Sequence, residues 1–227
     1  MSYTPISTKT LSSITHNIQE NSPHPSDVTI IAVTKKFPHF SIINAIKNNI
    51  TCIGENQIQE FEEKHKHLSK YTFEAHLIGH LQSNKINKAI KLFNIIQTID
   101  SIKLAQALNE RLKRINKKQN IYIQLNIGND PKKYGFHTKN ILQQIEFFLK
   151  LQNLNLKGVM AILPFLEDVE DTQKLYAQTR KIQQAIMQKI TPTCTSLSMG
   201  MSRDYIYALK EGSTHIRLGT NLYGPRP

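Results

Sequence analysis

A lysine pair closes the first apolar run of the chain: Thr29-Ile-Ile-Ala-Val-Thr34 is followed by Lys35 and Lys36. Alternate side chains of a strand face opposite sides. Lys35 therefore shares a face with Ile31 and Val33, and Lys36 with Ala32 and Thr34. Only one of the two can point into a fold built on this strand, and parity alone does not say which. A lysine held at such a mouth is partly desolvated, which lowers its pKa. A neutral amine can attack an aldehyde and form an imine. The plainer alternative is a solvated lysine at a strand end. Near the other end, Ser196-Leu-Ser-Met-Gly-Met-Ser202 places Met199, Met201 and small residues at a strand-to-helix turn. Ser202 is expected to open the helix, and a helix N-terminus offers free N–H groups and a positive dipole end, which suit a phosphate. Arg217-Leu-Gly-Thr220 ends the last apolar run. Gly219 allows close backbone approach to a ligand, and Thr220 offers a hydroxyl. Two ordinary capped turns would read the same way. Gly54-Glu-Asn-Gln57 and Gly79-His-Leu-Gln-Ser-Asn-Lys85 add amide-rich turns. Lone Asn, Gln and His residues in loops are more often caps or solvated groups; only their number at one rim raises them above that.

These groups need elements that bring them together. Short β-branched runs alternate with amphipathic stretches along the chain. Strands are expected over Thr29–Thr34, Thr51–Ile53, Phe73–Ile78, Ile95–Ile99, Ile121–Ile127, Leu156–Leu163, Thr195–Met199 and His215–Leu218. Helices are expected between them: a stripe of Ile42, Ile43, Ala45 and Ile46 after Pro38, then Glu55–Leu68, Ser83–Phe93, Ser101–Ile115, Thr138–Leu151, Asp168–Lys189 and Ser202–Glu211. One more helix, about Ile6–Glu20, precedes the first strand. Strict alternation argues for a parallel sheet. Eight repeats in 227 residues favour an α/β fold of one kind, a single (β/α)8 TIM barrel with an extra N-terminal helix; barrels of this type run to about 250 residues. A doubly wound sheet stays open as an alternative, although no Gly-rich dinucleotide fingerprint follows the first strand. In a barrel, chemistry sits at the C-terminal strand ends, and phosphate sites are commonly built after strands seven and eight. The turns around Ser202 and Thr220 fall there.

Composition supports one globular domain over residues 1–227. Hydrophobic residues make up 39% and charged residues 20%, enough aliphatic content for a packed core. Cys52 and Cys194 do not form a secreted disulfide pattern and are expected as buried strand residues. Met1–Asn17 is Ser/Thr-rich without an apolar run, so no secretory signal is expected. No stretch reaches the ~18 apolar residues of a membrane span. The net charge of +12 would attract anions, but the lysines are scattered without a run of five or six. A cytoplasmic monomer without nucleic-acid or membrane partners is the expectation.

The chain also resembles a known family, that of the pyridoxal 5′-phosphate (PLP) homeostasis proteins. The matching segments, in order, are 32–38 (Ala-Val-Thr-Lys-Lys-Phe-Pro), 53–60 (Ile-Gly-Glu-Asn-Gln-Ile-Gln-Glu) and 76–85 (His-Leu-Ile-Gly-His-Leu-Gln-Ser-Asn-Lys). Lys133-Tyr-Gly-Phe136, Lys157-Gly-Val-Met-Ala-Ile162, Leu197-Ser-Met-Gly-Met-Ser202, Ile216-Arg-Leu-Gly-Thr220 and Tyr223-Gly-Pro-Arg226 follow. Each is weak alone; together they are specific. The resemblance implies an alanine racemase-like barrel. It implies PLP held as a Schiff base on Lys35, the first lysine after the Ala-Val-Thr segment. It further implies that Ser202, Gly219 and Thr220 hold the phosphate, that Asn56 lines the site near the ring, that Met199 and Met201 shape the wall with Met160 close by, and that Arg217 faces the pyridine nitrogen. A permanently charged guanidinium there disfavours protonation of that nitrogen and weakens the cofactor as an electron sink.

The implied role is vitamin B6 balance without robust catalysis, with PLP-dependent apo-enzymes as transient partners. The alternative is a PLP-dependent amino-acid racemase, which needs an acid or base on each face of the substrate; no tyrosine is placed opposite Lys35 by the sequence. A barrel binding a phosphorylated metabolite without PLP is the third reading. Three features depart from the family pattern: His80 stands where proline is common, Arg203 then Asp204 follow Ser202 where an acidic residue is common, and the chain ends soon after the last strand, so a closing helix that is short or absent is expected.

Overall fold

In the computed structural model, which describes residues 4–225 apart from 129, 132, 140 and 165, the β-branched runs form nine parallel strands. They are β1 (Thr29–Val33), β2 (Cys52–Glu55), β3 (Glu74–Leu77), β4 (Ile95–Ile99), β5 (Gln119–Asn126), β6 (Phe136–His137), β7 (Leu154–Ala161), β8 (Ser196–Met201) and β9 (His215–Leu218). Neighbours pair in the order β4-β3-β2-β1-β9-β8-β7-β5, and β4 also pairs with β5. The ring thus closes into a barrel of eight strands, as the alternation predicts. The ninth strand, β6, is not legible in the sequence. It is two residues long and adds to the end of β5 through Leu125↔Phe136 and Asn126↔His137.

The helices are α1 (Thr8–Asn21), α2 (His39–Lys47), α3 (Ile58–His65), α4 (Ile86–Leu92), α5 (Ile102–Arg114), α6 (Ile141–Glu146), α7 (Val169–Lys189), α8 (Tyr205–Lys210) and α9 (Thr220–Tyr223). Local chemistry sets several starts. Ser7 Oγ accepts the Thr10 N–H at 3.1 Å and Ser101 Oγ the Leu104 N–H at 3.3 Å, caps worth about 1 kcal/mol each. Several expected starts shift. Glu55 belongs to β2, so α3 opens three residues later. Ser83 opens a 3-10 turn, Ser83–Lys85, ahead of α4. Ser202 does not cap α8: the Asp204 carboxylate accepts the Met201 N–H at 2.6 Å and makes residues 202–204 a turn before the helix. Cys52 does lie on a strand, half-buried, but Cys194 is buried in the loop ahead of β8.

Two layers result. Outward-facing strand residues such as Ala32, Ile53, Leu77, Ile96 and Leu218 pack under the helices in one hydrophobic cluster. The barrel interior is mixed. Tyr122, Met160 and Ile95 form a small apolar cluster with Ile162 against it. Beside it runs a chain of polar side chains from four strands: His76, Gln97, Ser198 and Arg217, all buried. The Gln97–Ser198 bond, 2.8 Å long, joins β4 to β8. These strands are not neighbours in the ring, so the bond crosses the interior. Barrel interiors are usually filled by Val, Ile and Leu; this one gives part of its volume to hydrogen-bonded polar groups. No helix of the described residues is long and apolar enough to cross a membrane.

Candidate functional site

A cavity of about 620 Å³ opens at the C-terminal ends of the strands, within the range of small-molecule sites. Its wall includes Lys35 and Val33 from the end of β1. The parity left open by the sequence resolves here. Lys35 follows Val33 into the cavity, while Lys36 turns away, exposed, with a φ of 66°.

The neighbours of Lys35 explain how that turn is fixed. Thr34 points outward and is fully buried; its hydroxyl donates to Glu55 Oε1 at 2.6 Å. From α3, the Lys64 ammonium donates to Glu55 Oε1 at 2.7 Å and to the Thr34 carbonyl at 2.8 Å. It also pairs with Glu60 at 2.6 Å, and Glu60 Oε1 accepts the Lys36 N–H at 2.6 Å. Residues 34 and 36 are thereby tied to the helix side, and Lys35 is left facing the cavity. Burial pushes the Glu55 carboxyl upward, while Lys64 and the Thr34 hydroxyl pull against it. Its Oε2 is buried without a hydrogen-bond partner among the described residues.

Met201, Ser202, Gly219 and Thr220 line the same cavity from β8 and β9. The two turns are clasped: the Asn221 N–H donates to Ser202 Oγ at 3.3 Å, and its side-chain amide to the Ser202 carbonyl at 3.1 Å. Gly200, whose φ is 90°, lets the end of β8 lie close against α8: a Cβ there would stand 2.6 Å from Ala208 Cβ. The β8–β9 register shifts between Ser198 and Met201. That irregularity separates the two methionines. Met199 does not line the cavity; Ser198 takes the inward position, and Met199 is fully buried in the outer hydrophobic cluster. Met160 sits inside the barrel against Ile162, which lines the cavity.

Arg217 reaches the cavity from within the barrel, 3% exposed. One terminal nitrogen donates to Ser198 Oγ and the other to the Ala161 carbonyl, both at 2.7 Å. Burial pulls its pKa down, and Tyr176 and Asp204 oppose this. A guanidinium starts so high that it keeps its charge. Asn56 completes the rim. Its turn packs directly on Gly79, where a Cβ would stand 2.1 Å from the Asn56 carbonyl oxygen. His80 stands aside from the cavity wall, with Nδ1 2.9 Å from Asp100 Oδ2 and its ring stacked on Tyr134 at 3.7 Å.

Sequence reasoning missed the loop after β7. Leu163, Pro164 and Asp168 line the cavity, as does Tyr207 of α8. The one available signal was position, since these residues follow strand ends. Asp168 was legible only as the start of a helix; it is the N-cap of α7, its Oδ1 accepting the Glu170 N–H at 2.6 Å. Arg226 of the terminal motif lies outside the described residues.

Chemically, the site sets a half-buried primary amine, a buried permanent cation and two hydroxyl-bearing turns around one small-molecule space. Residues 10–227 match the family model described as the alanine racemase N-terminal domain. The chain is 32% identical over 197 residues to the pyridoxal phosphate homeostasis protein of Aquifex aeolicus, covering 87% of this chain and 86% of that one. It is 33% identical over 205 residues to the protein of the same name from Escherichia coli, covering 89% and 87%. Among solved structures, PipY of Synechococcus elongatus with PLP bound is 31% identical with a TM-score of 0.82, covering 95% of this chain and 99% of that chain. The alanine racemase of Clostridium difficile, 18% identical with a TM-score of 0.77 over 98% of this chain and 61% of that one, shares the fold.

Proposed function

The chain belongs to the family of the alanine racemase N-terminal domain, among the pyridoxal phosphate homeostasis proteins, and on that premise we propose that it holds PLP on Lys35 and serves intracellular vitamin B6 balance without robust turnover. The observation that carries this reading is the Lys35 amine lining one cavity with Arg217 and the clasped Ser202 and Thr220 turns. The residues present fit the group. Lys35 supplies an amine for its aldehyde, Ser202, Gly219 and Thr220 supply hydroxyl and backbone donors for its phosphate, and Asn56 offers an amide at the rim. When bound, PLP supplies an electron sink for amino-acid chemistry.

The remaining chemistry belongs to the chain. The Thr34–Glu55–Lys64 network aims Lys35 inward. Arg217, fixed by Ser198 and the Ala161 carbonyl, keeps a positive charge at the cavity floor, where it disfavours a second one on a ring nitrogen. Transient delivery of PLP to apo-enzymes, a cytoplasmic location and a monomeric chain belong to the same proposal. The large exposed hydrophobics Phe40, Ile115, Tyr134, Leu149 and Val169 come from separate elements, which supports the monomer.

Borohydride reduction of the PLP-loaded protein, followed by peptide mapping, tests the site. The label is expected on Lys35 and absent from Lys35→Ala, together with the visible absorption band. A band retained in Lys35→Ala would overturn the assignment. Tyr207 on the cavity wall gives the racemase reading its specific test. Incubation with single amino-acid enantiomers is expected to show no turnover at ordinary enzyme rates; about 1 s⁻¹ or more, lost in Tyr207→Phe, would replace the carrier reading by the enzymatic one.

A further inference from the structure

The opposite mouth of the barrel holds a second constellation. Cys52 and Glu74 open β2 and β3 and are register partners. His76, two residues on, shares the parity of Glu74 and is fully buried. Cys52 Sγ lies 3.8 Å from Glu74 Oε1, and His76 Nε2 lies 2.6 Å from the same oxygen. The sulfur, carboxylate and imidazole donors all fall within 4.8 Å of one another. Among the described residues, no other group of three His, Cys, Asp or Glu side chains converges in this way.

We propose that Cys52, Glu74 and His76 form a binding site for a zinc-like divalent cation, separate from the cofactor cavity. Thiolate and imidazole beside one carboxylate suit zinc and its neighbours, whereas calcium and magnesium take oxygen ligands. Three protein ligands leave one tetrahedral position for water.

Metal-binding histidines are oriented by a partner on the second ring nitrogen, and His76 has one. The Gln97 side-chain nitrogen lies 2.7 Å from Nδ1. Gln97 Oε1 in turn accepts from Ser198 Oγ at 2.8 Å, which accepts from Arg217 at 2.7 Å. This polarity places the His76 proton on Nε2, donated to Glu74. Ligation through Nε2 moves that proton to Nδ1, where the turned Gln97 amide accepts it, and releases the thiol proton of Cys52 to solvent. The ring therefore has a buried partner in either tautomer. His215 beside it is a neighbour and not a fourth ligand: Nε2 faces the Tyr122 hydroxyl at 3.4 Å and Nδ1 the Thr214 hydroxyl at 2.8 Å. An ion has a way in, because the Glu74 side chain is 43% exposed and Cys52 also lines a groove beside α1.

Cobalt(II) titration of the purified full chain tests the site, and it needs no cofactor on Lys35. The expected result is thiolate-to-cobalt charge-transfer absorption saturating at one ion per chain, bleached by excess zinc and absent in Cys52→Ser. Glu74→Gln, a change at a half-exposed position, is expected to stay folded by circular dichroism and to weaken cobalt binding at least about tenfold. No charge-transfer band in the unmodified chain, a band surviving in Cys52→Ser, or unchanged affinity in Glu74→Gln each overturns the proposal.

Discussion

Replacing Lys64 by Met removes the cation that holds the β1 exit in place. The ammonium makes three short contacts, to Glu55 Oε1 at 2.7 Å, the Thr34 carbonyl at 2.8 Å and Glu60 Oε1 at 2.6 Å, and the residue is 7% exposed. Breaking a buried pair from one side costs about 3–5 kcal/mol, because the partner is left charged and uncompensated. Glu55 is fully buried, and its second oxygen already has no partner among the described residues, so the upper half of that range is expected. Against a total stability of about 5–15 kcal/mol this is a large loss, and for a chain of this size it corresponds to a Tm drop of roughly 8–20 °C. Urea unfolding at neutral pH measures it. Lys64→Met combined with Glu55→Gln is expected to recover most of the loss, since no charge then stays buried. Deprived of its cation, Glu55 takes up a proton on folding, so the single variant's deficit shrinks as pH is lowered. The exposed pair Lys66–Glu63, with side chains 60% and 70% exposed, is the control, and its loss is expected to leave the midpoint unchanged. A Lys64→Met midpoint equal to that control, or no recovery in the double variant, would show that the buried cation does not hold the β1 exit. Borohydride labelling of Lys35 should also slow in Lys64→Met, because the Thr34 carbonyl loses its tether.

Two further outcomes follow from the geometry. Gly79→Ala drives a Cβ to 2.1 Å from a backbone oxygen of Asn56, and overpacking of this kind costs about 1–3 kcal/mol. Unfolding and PLP titration should show lower stability with weaker binding; unchanged values in both would mean that the rim turn yields freely. Burial, and then His76, push His215 down to about 4 from an ordinary 6.5. The native state then binds fewer protons than the unfolded chain between these values, so stability is full above about 6.5 and is lost as pH falls toward 4, by up to about 3 kcal/mol. Urea midpoints in chelator-treated buffer across that window should show the slope, and His215→Gln should flatten it; an equal slope in both proteins would assign the acid sensitivity elsewhere.

The period of the fold was readable from the residues alone. Apolar runs of strand length separated by helical stripes favoured a barrel over a doubly wound sheet, and with it the rim where Asn56, Ser202, Gly219 and Thr220 lie. Local signals also located the helix starts at Ser101 and Asp168, because a cap depends on residues two or three apart. What depends on closure was out of reach. Parity allowed either lysine of the β1 exit; the family resemblance pointed to Lys35, and what turns it inward is helix α3, whose Lys64 ties down Thr34 on the other face. The separation of Met201 from Met199 came from a register shift against β9. The polar chain from Arg217 to Glu74 depends on a contact between residues 101 positions apart. A strand pattern records which side chains share a face, but only a closed ring decides which of those faces meet across its interior.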